Sequence, residues 1–281
     1  MRTIIITGAS DGIGAAASRQ LAGTDARLIL VGRSPDKTQA IADATGAECH
    51  VVDFTRLEDV RRLAIELNDT CDRIDVLANN AGGIFSGPTT TRDGFEKTLQ
   101  VNHLAPYLLT YLLLDKLLDS RGAVVNTSSI GARLFGNIDL EDLNNWDGFT
   151  PNKAYGDAKL ANILFTKELH ERFHDRGLSS VAFHPGNVAT NFASDTDSYF
   201  QHVYHGALRA FLISPQQGGA RLRHFIEGRP GKTWDSGQYY RAPGRIGRSN
   251  RQAYDAGVAA EHWRRSAAML NISWLNRPWF D

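Results

Sequence analysis

Short runs of apolar, largely β-branched residues recur from Thr3 to His184, and segments of helical length separate them. The runs cover residues 3–7, 27–31, 48–53, 74–78, 123–127 and 180–184; between them lie helical patterns such as 13–21, 36–44 and 57–68. Strands that read as near-continuous Ile/Val/Leu are buried on both faces, so a helix must cover each side. Alternation of this kind gives an α/β fold with a doubly wound, mostly parallel sheet, and ligands gather at the carboxyl ends of its strands.

At 281 residues the chain suits one large domain, residues 1–281, with no repeat and no linker to divide it. Lys plus Arg and Asp plus Glu both number 31, which gives no net field toward nucleic acid or an anionic membrane. Cys49 and Cys71 form no disulfide framework, and Met1-Arg2 leads straight into the first run without a signal peptide, so a cytoplasmic protein is expected. The most apolar stretch, 104–118, contains Pro106, Asp115 and Lys116 and is expected to be a buried amphipathic helix, with no membrane span. Beyond His184 the pattern loosens. Residues 187–215 are expected to cover a pocket, and 228–247 to form a surface connection before a last strand and helix.

The first run ends in Thr7-Gly-Ala-Ser-Asp-Gly-Ile-Gly14 and passes directly into a helix. Glycines at this junction allow a tight turn and let backbone approach a pyrophosphate, whose charge rests on the helix N-terminus. Gly8, Ser10, Asp11, Gly12, Ile13 and Gly14 are therefore candidate dinucleotide contacts. The end of the second strand selects the nucleotide: an acidic residue grips the ribose hydroxyl of NAD, while arginine accommodates the 2′-phosphate of NADP. Here the chain has Leu30-Val-Gly-Arg33-Ser34, so Arg33 with Ser34 favours NADP(H) over NAD(H), the alternative being a solvated loop arginine. Asp36 is expected to cap the next helix.

Tyr155 and Lys159 stand four positions apart, so on a helix they share a face. A neighbouring ammonium favours phenolate, which brings a phenol toward the pH range where general acid–base catalysis is effective.

Taken together, these residues resemble the short-chain dehydrogenase/reductase family. Further motifs follow in order: Asn79-Asn-Ala-Gly82, Asn102, Asn126-Thr-Ser-Ser129, the Tyr155/Lys159 pair and Pro185-Gly-Asn-Val-Ala-Thr190. The resemblance implies a single Rossmann-like domain with a seven-stranded sheet of order 3-2-1-4-5-6-7. It implies that Ser129 hydrogen-bonds the substrate oxygen, with Ser128 as the alternative, and that Tyr155 passes the proton. Lys159 would hold the nicotinamide ribose and acidify Tyr155, and Asn102 would support a water relay to Lys159. Asp53 would meet the adenine, Asn79 and Asn80 would flank the adenosine, and Thr190 would hold the carboxamide.

Ser129 and Tyr155 stand further apart than is usual in the family, and the insert carries Asp139-Leu-Glu-Asp-Leu-Asn144. With the helix Lys159-Leu-Ala-Asn-Ile-Leu-Phe and the strand-like Ser236-Gly-Gln-Tyr-Tyr240, this is similar to the retinol dehydrogenase and protochlorophyllide reductase-like branch. That branch implies a small, apolar, bulky carbonyl or alcohol substrate, and Phe135, Ile138, Trp146, Phe192, Tyr199, Phe200 and Tyr204 are candidates for its pocket or for ordinary core. Family members pair into homodimers or homotetramers through the helices at 104–118 and 155–172. Two departures stand out: Ala158 precedes the lysine where serine is common, and Asp11 occupies a turn position where NADP-preferring relatives often carry a base.

Other classes compete with this reading. A non-catalytic NADP sensor or scaffold could use the same fold. His170-Glu-Arg-Phe-His174 matches the H-E-x-x-H zinc hydrolase pattern. Ser180 occupies the next ligand position, and Gly177 is better explained as a helix stop. His202 and His205 share a helical face without a third ligand, and His184 is expected to be a satisfied strand-end residue.

Overall fold

The computed structural model describes residues 1–187 and 213–274. Eight strands form one sheet: β1 (Arg2–Thr7), β2 (Ala26–Gly32), β3 (Glu48–Val51), β4 (Val76–Asn79), β5 (Ala123–Thr127), β6 (Ser179–Phe183), β7 (Gln238–Ala242) and β8 (Arg245–Ile246). Their order is β3-β2-β1-β4-β5-β6-β7-β8. Neighbours from β3 to β7 are parallel, and β8 returns antiparallel on β7. The expected seven-strand order is thus extended at one edge by a strand reached through Gly244, whose φ is +67°. The strand-like 236–240 is borne out by β7, while β8 and the buried Trp234 correct the reading of the rest of 228–247 as a surface connection.

Successive side chains on a strand point to opposite faces, and the apolar runs obey that period. Ile4 and Ile6 join a core with Leu28, Leu30, Val125 and Phe183 under helices α1 (Gly12–Leu21), α2 (Pro35–Thr45) and α9 (Pro215–Glu227). Ile5 points the other way and packs with Ile29, Leu77 and Val124. That face is covered by α3 (Leu57–Thr70), α5 (Ala105–Leu112), α8 (Pro151–Phe173) and α10 (Ala256–Met269). Helices on both faces leave the carboxyl ends of the strands as the place where loops meet.

Three local outcomes differ from expectation or refine it. Ser34 takes the N-cap position of α2 with Pro35 following, so Asp36 lies inside the first turn and does not cap. The 104–118 stretch is not one helix. It follows α4 (Lys97–Leu99) and a π-turn (Gln100–Leu104), continues as α5, breaks at Leu113 and resumes as α6 (Leu114–Asp119). Gly177, at φ +98°, ends the 3-10 turn that follows α8 and is placed two residues before β6. One face of α5 and α8 carries the chain's own C-terminal layer. Tyr107, Phe165 and Phe173 pack there against Trp263 and Trp274. Among the described residues, no helix is long and apolar enough to cross a membrane.

Candidate active site

A cleft of about 620 Å³ opens at the carboxyl ends of the central strands. One end is built by the glycine turn after β1. Gly8 and Gly12 have φ of +67° and +54°, values L side chains rarely adopt. A methyl on Gly14 would run into the Gly8 carbonyl, and one on Gly8 would lie 2.8 Å from Ala81 Cα. The turn therefore stays bare so that the 79–82 loop can lie against it. Asp11 caps α1 by accepting from Gly12 N at 2.7 Å, and Gly12 and Ile13 line the cleft with the first turn of the helix. Backbone N–H groups at a helix start suit a phosphate, so the turn fits a pyrophosphate.

Beyond β2, Arg33 and Ser34 line the same end of the cleft, and Lys37 joins them from the first turn of α2. Lys37 Nζ pairs with Asp11 Oδ2 at 3.0 Å. A base absent from the glycine turn is thereby supplied across space, which the turn's own sequence did not reveal. The signal available was the spacing of Lys37 four residues after Arg33. Asp53 also lines the cleft and accepts from Thr55 N at 2.9 Å.

The two asparagines after β4 diverge. Asn80 borders the cleft, donating to Thr7 O at 3.0 Å and accepting from Thr127 Oγ1 at 3.2 Å, which ties the ends of β1, β4 and β5 together. Asn79 is turned away and buried, with Nδ2 donating to Thr110 Oγ1 and Asn126 Oδ1. The expectation that Asn79 flanks a nucleotide is corrected: its amide joins the elements behind the cleft.

At the other end stand Ser129, Tyr155 and Lys159, all buried and all lining the cleft. Thr150 caps α8 by accepting from Lys153 N, and Pro151 begins it, which fixes the helix that carries Tyr155 and Lys159. Ser129 Oγ accepts from Gly131 N at 3.0 Å; a hydroxyl so engaged keeps its O–H to donate. Ser128 is committed elsewhere, donating to Lys159 O at 2.8 Å. Gly131, the first residue of α7 (Gly131–Leu134), lies between the partners: a methyl there would lie 3.1 Å from the Tyr155 ring and 3.4 Å from Ser129 Oγ.

Lys159 Nζ lies 5.6 Å from the centre of the Tyr155 ring and donates to Thr127 O at 3.3 Å. Burial disfavours its ammonium and lowers its pKa to about 7. Asn102 is buried within the π-turn, accepting from Gly83 N and donating to Gly83 O and Thr98 O. Its side chain thus holds the Gly82–Gly83 loop over the lysine, since a methyl on Gly82 would sit 3.0 Å from Lys159 Nζ.

Other expected residues fall elsewhere. Thr190, Phe192, Tyr199, Phe200, Tyr204, His202 and His205 lie outside the described residues. Ile138 belongs to the core and Trp146 is exposed, and neither they nor Phe135 line the cleft; Ile84 and Phe85 supply its apolar wall. His170 and His174 stand with ring centres 4.5 Å apart, His170 bonded to Ser236 Oγ and His174 to Leu178 O. Among the described residues, no group of three His, Cys, Asp or Glu stands together there to complete the hydrolase pattern.

The sequence profile of the short chain dehydrogenase family matches residues 2–199. The chain belongs to that family. A Streptomyces sp. (strain C5) protein provisionally named as a daunorubicin C-13 ketoreductase is 40% identical over 278 residues, covering 96% of this chain and 92% of the relative. Retinol dehydrogenase 13 of Homo sapiens is 34% identical over 289 residues, covering 96% and 85%. The crystal structure of an uncharacterised protein from Mycobacterium paratuberculosis superposes with a TM-score of 0.75 at 33% identity, covering 98% of this chain and 95% of that one. As a short-chain dehydrogenase of the retinol dehydrogenase-like branch, the protein is an oxidoreductase that works with a nicotinamide cofactor on a small molecule.

Proposed function

We propose that this short-chain dehydrogenase interconverts a bulky, apolar ketone or aldehyde with its alcohol, using NADP(H) in preference to NAD(H). The observation that carries the reading is the convergence of the Ser129 hydroxyl and the Tyr155 ring on Gly131, with the buried Lys159 ammonium 5.6 Å from that ring. At the opposite end of the same cleft, Arg33 and Lys37 supply positive charge suited to a 2′-phosphate. The apolar wall of Ile84 and Phe85 and the relative named for a daunorubicin ketone support a bulky substrate. Two cysteines without a disulfide fit a cytoplasmic setting.

In reduction, Ser129 donates its O–H to the substrate carbonyl oxygen and fixes that oxygen beside the Tyr155 hydroxyl. A bound reduced nicotinamide supplies the hydride. Tyr155 gives its proton to the oxygen as negative charge develops there. Lys159 stabilises the phenolate left behind, and the low dielectric of its surroundings strengthens that attraction. Oxidation of the alcohol runs the same residues in reverse.

Tyr155→Phe tests the reading. Turnover should fall by about 10²–10⁴, while NADPH binding, followed by its fluorescence, stays near wild type. Turnover equal to wild type would remove Tyr155 from the proton path. Equal turnover with NADH and NADPH would remove the nucleotide preference.

A further inference from the structure

Asn162 lies on α8 beside Lys159 and is 4% exposed. Its Nδ2 donates to Asn102 O at 3.1 Å and to Thr127 O at 3.4 Å. The second carbonyl is the one that also accepts from Lys159 Nζ. On its other side, Asn162 Oδ1 faces His103 Nδ1 at 3.2 Å, and His103 Nε2 faces Ser266 Oγ on α10 at 3.1 Å. A buried polar chain therefore runs from the C-terminal helix, through the π-turn, to the carbonyl that holds the lysine.

The direction of this chain is fixed by its chemistry. Two carbonyls require the NH₂ end of the Asn162 amide, because a flipped amide would set oxygen against oxygen. Asn162 Oδ1 is then the acceptor, so His103 carries its proton on Nδ1 and its bare Nε2 accepts from the Ser266 hydroxyl. Burial lowers the His103 pKa to about 4, so the ring stays neutral near pH 7 and the tautomer holds. Every polar atom in the chain has a partner, and such a network is worth most where water is excluded.

We infer that Asn162 is a positioning residue for proton transfer: it anchors the Thr127 carbonyl, which accepts from the Lys159 ammonium, together with the Asn102 carbonyl of the π-turn, and His103 of the π-turn and Ser266 of α10 hold it there. The inference rests on the reading of Lys159 and Tyr155 given above. It also gives the C-terminal layer a task beyond packing. A side chain that only satisfied buried carbonyls would affect stability; a positioning residue must also move the lysine's titration and the rate.

The titratable groups that face Lys159 among the described residues are Tyr155 on the same helix and His103 on the π-turn. The experiment follows the Lys159 ammonium in the cofactor-free protein by NMR of labelled lysine, with the signal assigned through Lys159→Met, alongside pH profiles of kcat and KM. Asn162→Asp keeps the shape but replaces the donor with a carboxylate, so the lysine should titrate at least about one unit higher, and the kcat profile should be displaced in the same sense. Asn162→Ala should lower kcat about tenfold or more and KM for the carbonyl compound less than threefold. Ser266→Ala, the mildest change, should lower kcat severalfold with KM unchanged.

A lysine titration and kcat profile unmoved in Asn162→Asp and Asn162→Ala would overturn the inference, whatever happened to thermal stability. If neither folds, Ser266→Ala decides alone: unchanged kcat and profile overturn it, and a lowered kcat at constant KM sustains it. Full turnover in Tyr155→Phe would instead overturn the catalytic reading, while the lysine titration in the Asn162 variants would still report on the positioning chain.

Discussion

Lys37 Nζ stands 3.0 Å from Asp11 Oδ2, joining the start of α2 to the start of α1 across the nucleotide end of the cleft. Exposed ion pairs contribute little to stability, about 0–1 kcal/mol, and Lys37 keeps 57% of its side-chain surface open. Its pair with Asp11 is better understood as aiming the ammonium. Asp11 also brings a negative charge to the helix N-terminus proposed to hold phosphate.

Arg33→Ala should therefore raise KM for NADPH about tenfold to a hundredfold, the equivalent of one lost charge-assisted hydrogen bond. Lys37→Ala should raise it about threefold to tenfold, reduced by solvent exposure, and KM for NADH should move little in either variant. Asp11→Ser keeps an N-cap and removes the anion, so NADPH should bind more tightly. Steady-state kinetics with both nucleotides, repeated at higher salt, checks all three.

Two glycines separate cofactor binding from chemistry. Gly14 leaves no room for a methyl against the Gly8 carbonyl, and that atom belongs to backbone and cannot swing aside. Gly14→Ala should therefore abolish nucleotide binding and lower stability by about 1–3 kcal/mol. Gly131 is different, since its methyl would meet the Tyr155 ring at 3.1 Å and Ser129 Oγ at 3.4 Å, both movable side chains. Gly131→Ala should fold and bind NADPH normally but lose about tenfold to a hundredfold in kcat by displacing the reacting groups. Isothermal titration and single-turnover rates distinguish the two. Normal kcat in Gly131→Ala would argue against the Ser129–Tyr155 partnership.

The parallel α/β class and the two ends of the cleft were legible because they follow from local patterns: near-continuous apolar runs separated by helical segments, a glycine turn, and a Tyr/Lys pair one helical turn apart. The strand order came with the family resemblance. What stayed hidden depends on distant partners. Asn79 and Asn80 are adjacent and chemically identical, and only the arrival of Thr110 and Asn126 from other elements turns one of them inward. Lys37 belongs to no local motif, and only the arrival of Asp11 from α1 marks it out. Ile138 and Trp146 stayed open between pocket and core because aromatic and aliphatic side chains in an insert look alike whether they face ligand, core or solvent. Nothing in the periodicity of α10 announced that Trp263 would pack with Trp274 on Tyr107, Phe165 and Phe173.

The last prediction concerns pH. Lys159 titrates near 10.5 in an unfolded chain and at about 7 in the folded one, because burial disfavours its charge. Between those values the unfolded chain binds more protons than the native one, so this residue's contribution makes the protein more stable as pH rises from about 7 toward 10.5. The penalty is present in full below about 7 and fades above it. Lys159→Met removes the group that must be desolvated, so the variant should be more stable than wild type near pH 6. The advantage, at most roughly 5 kcal/mol from the size of the shift, should shrink steadily toward pH 10. Urea unfolding of both proteins across that range measures it as a difference, which cancels the titration of shared groups. A constant gap between the two curves would mean that Lys159 is solvated or paired in the folded protein, and that its ammonium is fully formed before any ligand arrives.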